Sequence, residues 1–199
     1  MDTEIKSSLR QTSKLLSVIV AVVLTGFIFA YFQHTDGEGR ISFTLQGPAG
    51  AKVTERDMGG KWMLIYFGFT SCADVCPTQS AKVAQTLRLL DNKHLGDRIM
   101  PIFISVDYQR DSVESINAYL SRFDDRLVGL TGDPQQLDAV TRQFDTHYEL
   151  IIPESGRADE INVIHSSMTY LVDPFGKIVE RLAFGYHPDF LADRIAGLI

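Results

Sequence analysis

The sequence predicts an α/β domain preceded by one transmembrane helix. Three observations predict it. The uncharged run Leu15–Phe32, LLSVIVAVVLTGFIFAYF, is long enough to cross a bilayer. Beyond it, short apolar runs of strand type alternate with stretches of helical period. The only two cysteines, Cys72 and Cys76, lie where one such run gives way to a helix, in Gly68-Phe69-Thr70-Ser71-Cys72-Ala73-Asp74-Val75-Cys76-Pro77.

Residues 1–14 carry Lys6, Arg10 and Lys14 ahead of the apolar run, so the positive-inside rule makes them a cytoplasmic-side tail and sends the rest of the chain across. Residues 15–32 form the anchor. The competing reading is a cleaved secretory signal, but the run is long for one and Ala30-Tyr31-Phe32 is a poor cleavage site. Residues 33–40 are polar and suit a tether. Residues 41–199 remain for one domain with a real core. A net charge of −6 and the lack of a basic run argue against a nucleic-acid partner.

Within the domain, Ile41–Leu45 and Ala51–Thr54 flank Gly47-Pro48-Ala49-Gly50 and read as a hairpin. Trp62–Phe67 is a short apolar run of strand type. Val83, Leu87 and Leu90 share a face of a helix over Pro77–Asp91, and Ile99–Val106 has the continuous apolar pattern of a central strand. Ile116, Leu120 and Phe123 mark a second helix, Leu127–Leu130 a strand, and Asp133-Pro134 the start of a third helix through Leu137, Val140 and Phe144. His147–Ile152 fits no clear pattern. Pro153–Ile161 is polar and reads as an exposed loop or hairpin excursion. Met168–Val172 and Lys177–Leu182 form a hairpin around Asp173-Pro174-Phe175-Gly176, and Leu191, Ile195 and Leu198 close with an amphipathic helix. This order looks like a thioredoxin-like fold with an N-terminal hairpin and an insertion. Such folds place reactive cysteines after the first core strand, at a helix start.

Pro77 suits the first turn of that helix, which makes Cys76 the expected N-cap and places its sulfur where helix amides favour a thiolate. A disulfide between Cys72 and Cys76 closes a tiny loop and adds little stability, so redox or metal chemistry explains the pair better than a structural crosslink. The CxxxC spacing is looser than the thioredoxin CxxC and better suited to sharing a metal ion.

The stretches FGFTSCADVCP, ISVD, LVGLTGDPQQLD and IHSSMTYLVDPFGKIVE together resemble the Sco/SenC family of membrane-anchored copper proteins, over nearly all of the chain from Ile41. The resemblance implies copper, Cu(I) or Cu(II), bound by Cys72, Cys76 and His165. It also implies a role in assembling the binuclear copper site of cytochrome c oxidase, by delivering copper or by reducing the target's cysteines. The partners it implies are the copper-binding oxidase subunit and an upstream copper donor or thiol reductant. The implied location is a bacterial inner membrane, single-pass, with the domain in the periplasm; a mitochondrial inner membrane facing the intermembrane space is the alternative. Read from residue type alone, His165 is an ordinary loop histidine. His34, His94, His147 and His187 read as surface or capping residues. Thiolates and imidazole do match copper.

Three positions depart from the family pattern. Ile164 replaces the usual Asp before the histidine, removing a carboxylate expected to orient the ring, so Ile164→Asp is expected to tighten Cu(II). Ala73 and Tyr108 replace prolines. Asp74 reads equally as a tuner of the thiols and as a turn residue. The alternative function is a membrane-anchored thiol–disulfide oxidoreductase in which Cys72, the more exposed thiol, attacks and Cys76 resolves. A peroxide-reducing thiol enzyme is a third reading without an assignable activating residue.

Overall fold

The computed structural model describes residues 23–26 and 39–199. Val23–Gly26 are helical, and among the described residues no helix is long and apolar enough to cross a membrane. The expected tail at 1–14, most of the anchor at 15–32 and the tether up to residue 38 lie outside the described residues. The chain divides into two units at Gly39/Arg40, and the description that follows concerns the second.

Its first elements are the expected hairpin, shifted: β1 (Thr44–Gln46) pairs antiparallel with β2 (Lys52–Thr54) around a short 3-10 turn at Pro48–Gly50. The apolar run that follows becomes β3 (Trp62–Gly68), buried from Met63 onward because both of its faces are covered. Helix α1 (Val75–Asp91) leads to β4 (Ile99–Ser105), α2 (Val113–Leu120), β5 (Val128–Leu130) and α3 (Pro134–Gln143). Then come β6 (Tyr148–Ile151), β7 (Asn162–His165), β8 (Met168–Val172), β9 (Ile178–Ala183) and α4 (Pro188–Ala196).

Five strands form the central sheet in the order β5-β4-β3-β8-β9. β3, β4 and β5 run parallel, and β8 and β9 are antiparallel neighbours on the other side of β3. Period-two alternation sorts β3 onto two cores. Met63, Ile65 and Phe67 pack with Leu137 and Val140 of α3, with Phe144 at its C-cap, and with Ile41, Phe43 and Leu45. Leu64 and Tyr66 pack with Val83, Leu87 and Leu90 of α1, Ile116 and Leu120 of α2, and Leu191 and Ile195 of α4.

The β8–β9 turn forms as expected: Asp173 Oδ1 accepts from the amides of Phe175 and Lys177, both at 2.9 Å, and Gly176 supplies the positive φ of 87° that closes it. The stretch without a clear pattern, His147–Ile152, contains β6. It pairs with β7 in a separate two-stranded sheet, so the polar Pro153–Ile161 segment is the loop of a hairpin inserted between α3 and β8. α1 starts at Val75, two residues before the expected Pro77, with Asp74 at the N-cap.

Candidate functional site

β3 ends at Gly68, where the chain must turn close to a thiol. A Cβ at Gly68 would stand 2.8 Å from Cys76 Sγ and 2.7 Å from the Phe103 ring, so this position accepts no side chain without displacement. The turn beyond it is tied to the end of β4. Thr70 donates its amide to Asp111 Oδ2 at 2.9 Å and its hydroxyl to Oδ1 at 2.5 Å, and Ser105 Oγ donates to the same carboxylate at 2.5 Å. Asp111 is buried, and three donors compensate its loss of water. Nothing in the sequence separates Asp111 from a residue of a solvated turn, and its role rests on a contact 41 residues back along the chain.

Among the described residues Asp74 holds the N-cap by its backbone alone, its carbonyl accepting from the Thr78 amide at 3.2 Å. A sulfur serves an amide of the helix start instead: Cys76 N–H donates to Cys72 Sγ at 3.4 Å. Cys72 is half-buried, and Cys76, inside the first turn, is 2% exposed. Both are free thiols. The expected thiolate at Cys76 is therefore corrected. The earlier helix start turns its sulfur into the core, and burial pushes the thiol well above its ordinary value, with Cys72 beside it adding to the rise.

His165 ends β7, with Nε2 3.7 Å from Cys76 Sγ, although 89 residues separate them. Its Nδ1 lies 3.1 Å from the Ser166 carbonyl. A carbonyl only accepts, so the proton sits on Nδ1 and the Nε2 lone pair faces the sulfur. Burial lowers the imidazole pKa, and the Phe69 ring stands edge-on to it at 5.7 Å. The two groups meet as a neutral thiol and a neutral imidazole in a small cleft lined also by Phe67, Val75, Gln79, Ser167 and Met168. Of the three expected ligands, the structure brings Cys76 and His165 together and leaves Cys72 on the amide of Cys76. No group of three or more His, Cys, Asp or Glu side chains among the described residues stands in a metal-holding cluster. His94, His147 and His187 do not line this cleft, and His34 lies outside the described residues.

The reading of Ile164 is also corrected. Along β7 the odd positions Val163 and His165 turn toward the protein, whereas Ile164 is 49% exposed and pairs with Glu149. A carboxylate there would face away from the ring, and the Ser166 carbonyl already occupies Nδ1.

Comparison with known proteins adds the following. A family model described as SCO1/SenC matches residues 33–199. Protein sco1 of Schizosaccharomyces pombe is 31% identical over 195 residues, which cover 89% of this chain and 74% of that one. The mitochondrial SCO1 homolog of Homo sapiens is 37% identical over 139 residues, 69% of this chain but 45% of its own length. The structure of Bradyrhizobium japonicum ScoI with copper bound superposes with a TM-score of 0.70 at 31% identity, over 80% of this chain and 99% of that one.

Proposed function

Since this chain belongs to the SCO1/SenC family, we propose that it is a membrane-anchored copper-binding factor that serves the assembly of cytochrome c oxidase. Copper is its cargo, held by Cys72, Cys76 and His165. The observation that carries this reading is the 3.7 Å approach of His165 Nε2 to Cys76 Sγ, with the ring's other nitrogen satisfied by a carbonyl. That is the usual support of a metal-ligating histidine. Two sulfurs and an imidazole suit both oxidation states of copper. Cys72 is the accessible donor and meets the ion first; Cys76 gives up its proton when the ion arrives, because a coordinated thiol is deprotonated outright.

Burial of Cys76 also weighs against the thiol–disulfide alternative. A resolving thiol attacks as the thiolate, and burial, only partly offset by the Phe69 backbone, makes this one costly to ionise. The partner is the copper-bearing subunit of the oxidase, supplied by an upstream copper donor or thiol reductant. Leu15–Phe32 anchors the chain in a bacterial inner membrane, with residues 33–40 as tether and 41–199 in the periplasm. The flanking Lys6, Arg10 and Lys14 support that direction.

The test is copper titration of the purified full chain against competing chelators for each oxidation state. Wild type is expected to take up one copper per chain. Cys72→Ser and Cys76→Ser should lose both states, and His165→Ala should lose Cu(II) far more than Cu(I), because two thiolates suffice for a linear Cu(I) site. Equal loss of both states in His165→Ala removes the division of roles. Unaltered binding in all three variants overturns the site.

A further inference from the structure

Arg110 lies just beyond β4 and uses both edges of its guanidinium. Its Nε donates to Asp107 Oδ2 at 2.5 Å, and the Asp107 side chain is 0% exposed. Its Nη1 donates to the carbonyls of Ala158 at 3.2 Å and Ile161 at 3.0 Å, in the segment that leads into β7 and so into His165. Its Cζ lies 5.9 Å from the centre of the Phe69 ring, and Phe69 is the ring that meets His165 edge to face. The hairpin loop's own polar contacts run within it, from Ser155 to Glu160 and from Arg157 to Asp159 and Glu160, whereas the Arg110 bonds tie it to the end of the central sheet.

The remaining Asp107 Oδ1 and Arg110 Nη2 are buried without a partner among the described residues. Asp107 and Arg110 are therefore joined by the Nε bond alone, and the second arm of a side-on carboxylate–guanidinium fork is not made. A carboxylate removed from water for one half-buried arginine is a poor source of net stability. It is a good source of fixed direction, because it holds one edge of a rigid planar cation and leaves the other edge aimed at the loop.

We propose that Arg110 is a positioning residue for His165: anchored on Asp107, it staples the loop ahead of β7 and the Phe69 ring to the end of β4, and through them sets the imidazole against the cysteine turn. The consequence for copper rests on the reading of His165 as a ligand; the staple itself does not. Releasing it would let the histidine leave while the two sulfurs stay on their own turn.

The experiment compares the full chain with Arg110→Lys and Arg110→Gln. Lysine keeps a cation for Asp107 but has no planar fork with which to serve a carboxylate and two carbonyls at once. Without metal, amide hydrogen exchange over residues 158–165 should rise about tenfold in both variants, the scale set by losing charge-assisted hydrogen bonds, while β3 and β4 keep their protection. With copper, chelator competition should show Cu(II) affinity falling by about 10 to 100-fold, as for loss of outer support to a ligand, and Cu(I) affinity much less. Unchanged exchange over 158–165 in Arg110→Lys overturns the staple. So does loosening that is equal in β3 and β4, up to failure to fold in both variants, since Arg110 would then serve general stability. If the wild-type chain takes up no copper, the copper reading falls, and the exchange comparison still decides on Arg110.

Discussion

His165 and Cys76 meet as neutral groups, and burial is the leading cause for each: it lowers the imidazole from 6.5 and raises the thiol from 9.0. The two shifts have opposite consequences for stability. An imidazole whose folded value lies below its unfolded value takes its proton more readily when unfolded. Its contribution is therefore full above pH 6.5 and is lost as the pH falls through the folded value. The thiol, raised in the fold, contributes fully below pH 9 and loses that contribution as the pH climbs toward its folded value. Urea unfolding of the metal-free chain should show a midpoint that declines on both sides of this window. His165→Gln should flatten the acid limb just below pH 6.5, and Cys76→Ser should flatten the alkaline limb above pH 9. An acid limb equally steep with and without His165 would show that the ring is not held neutral by burial.

The inserted hairpin β6–β7 brings His165 to Cys76, and its pleat decides which residues reach the sulfur. His165 pairs with Tyr148 on the inward side, while Ile164 pairs with Glu149 on the outward side. Ile164→Asp would place two carboxylates directly opposite each other on an exposed surface, at a cost of about 0.2–1 kcal/mol. We expect it to lower the unfolding midpoint slightly and to leave Cu(II) affinity well short of the 10 to 100-fold gain that an added outer partner brings. A tenfold tightening in chelator competition would show that the carboxylate does reach the ring. The sequence made some of this legible. Continuous apolar runs marked β3 and β4, the spacing of Val83, Leu87 and Leu90 marked α1, and the Asp173–Gly176 turn marked β8–β9. β6 stayed hidden because only alternate residues of Tyr148–Ile151 are half-buried and its partner lies beyond a polar loop. The sense of His165 depends on that pairing, and the burial of Cys76 on a two-residue shift of a helix start. Neither is a local property of the sequence.

At the scale of the whole domain, two cores lie on opposite faces of one sheet, and the segment that leads into β1 belongs to one of them. Ile41, Phe43 and Leu45 are buried at 4%, 5% and 0% exposure. Their backbone is bound to distant elements: Ile41 N donates to Gly176 O at 2.7 Å, Phe43 N to Glu55 Oε2 at 2.9 Å, and Gln46 exchanges bonds with Thr131 at 2.7 and 3.0 Å. Gln143 holds Ser42 by both backbone groups at 2.7 Å, and Gln136 donates to the Thr44 carbonyl at 2.8 Å. Burial of three large apolar side chains is worth roughly 5–9 kcal/mol by area bookkeeping, an upper figure that is still of the order of a domain's whole stability of about 5–15 kcal/mol. The boundary of the folding unit is therefore expected at Arg40, ahead of these residues and not at the first strand. A chain cut to begin at Arg40 should unfold cooperatively in urea. One cut to begin at Gly47 keeps every site residue and every strand of the central sheet, yet should fail to give a cooperative transition. If it unfolds at the same midpoint as the longer piece, the segment only lies on the core and takes no part in holding it together.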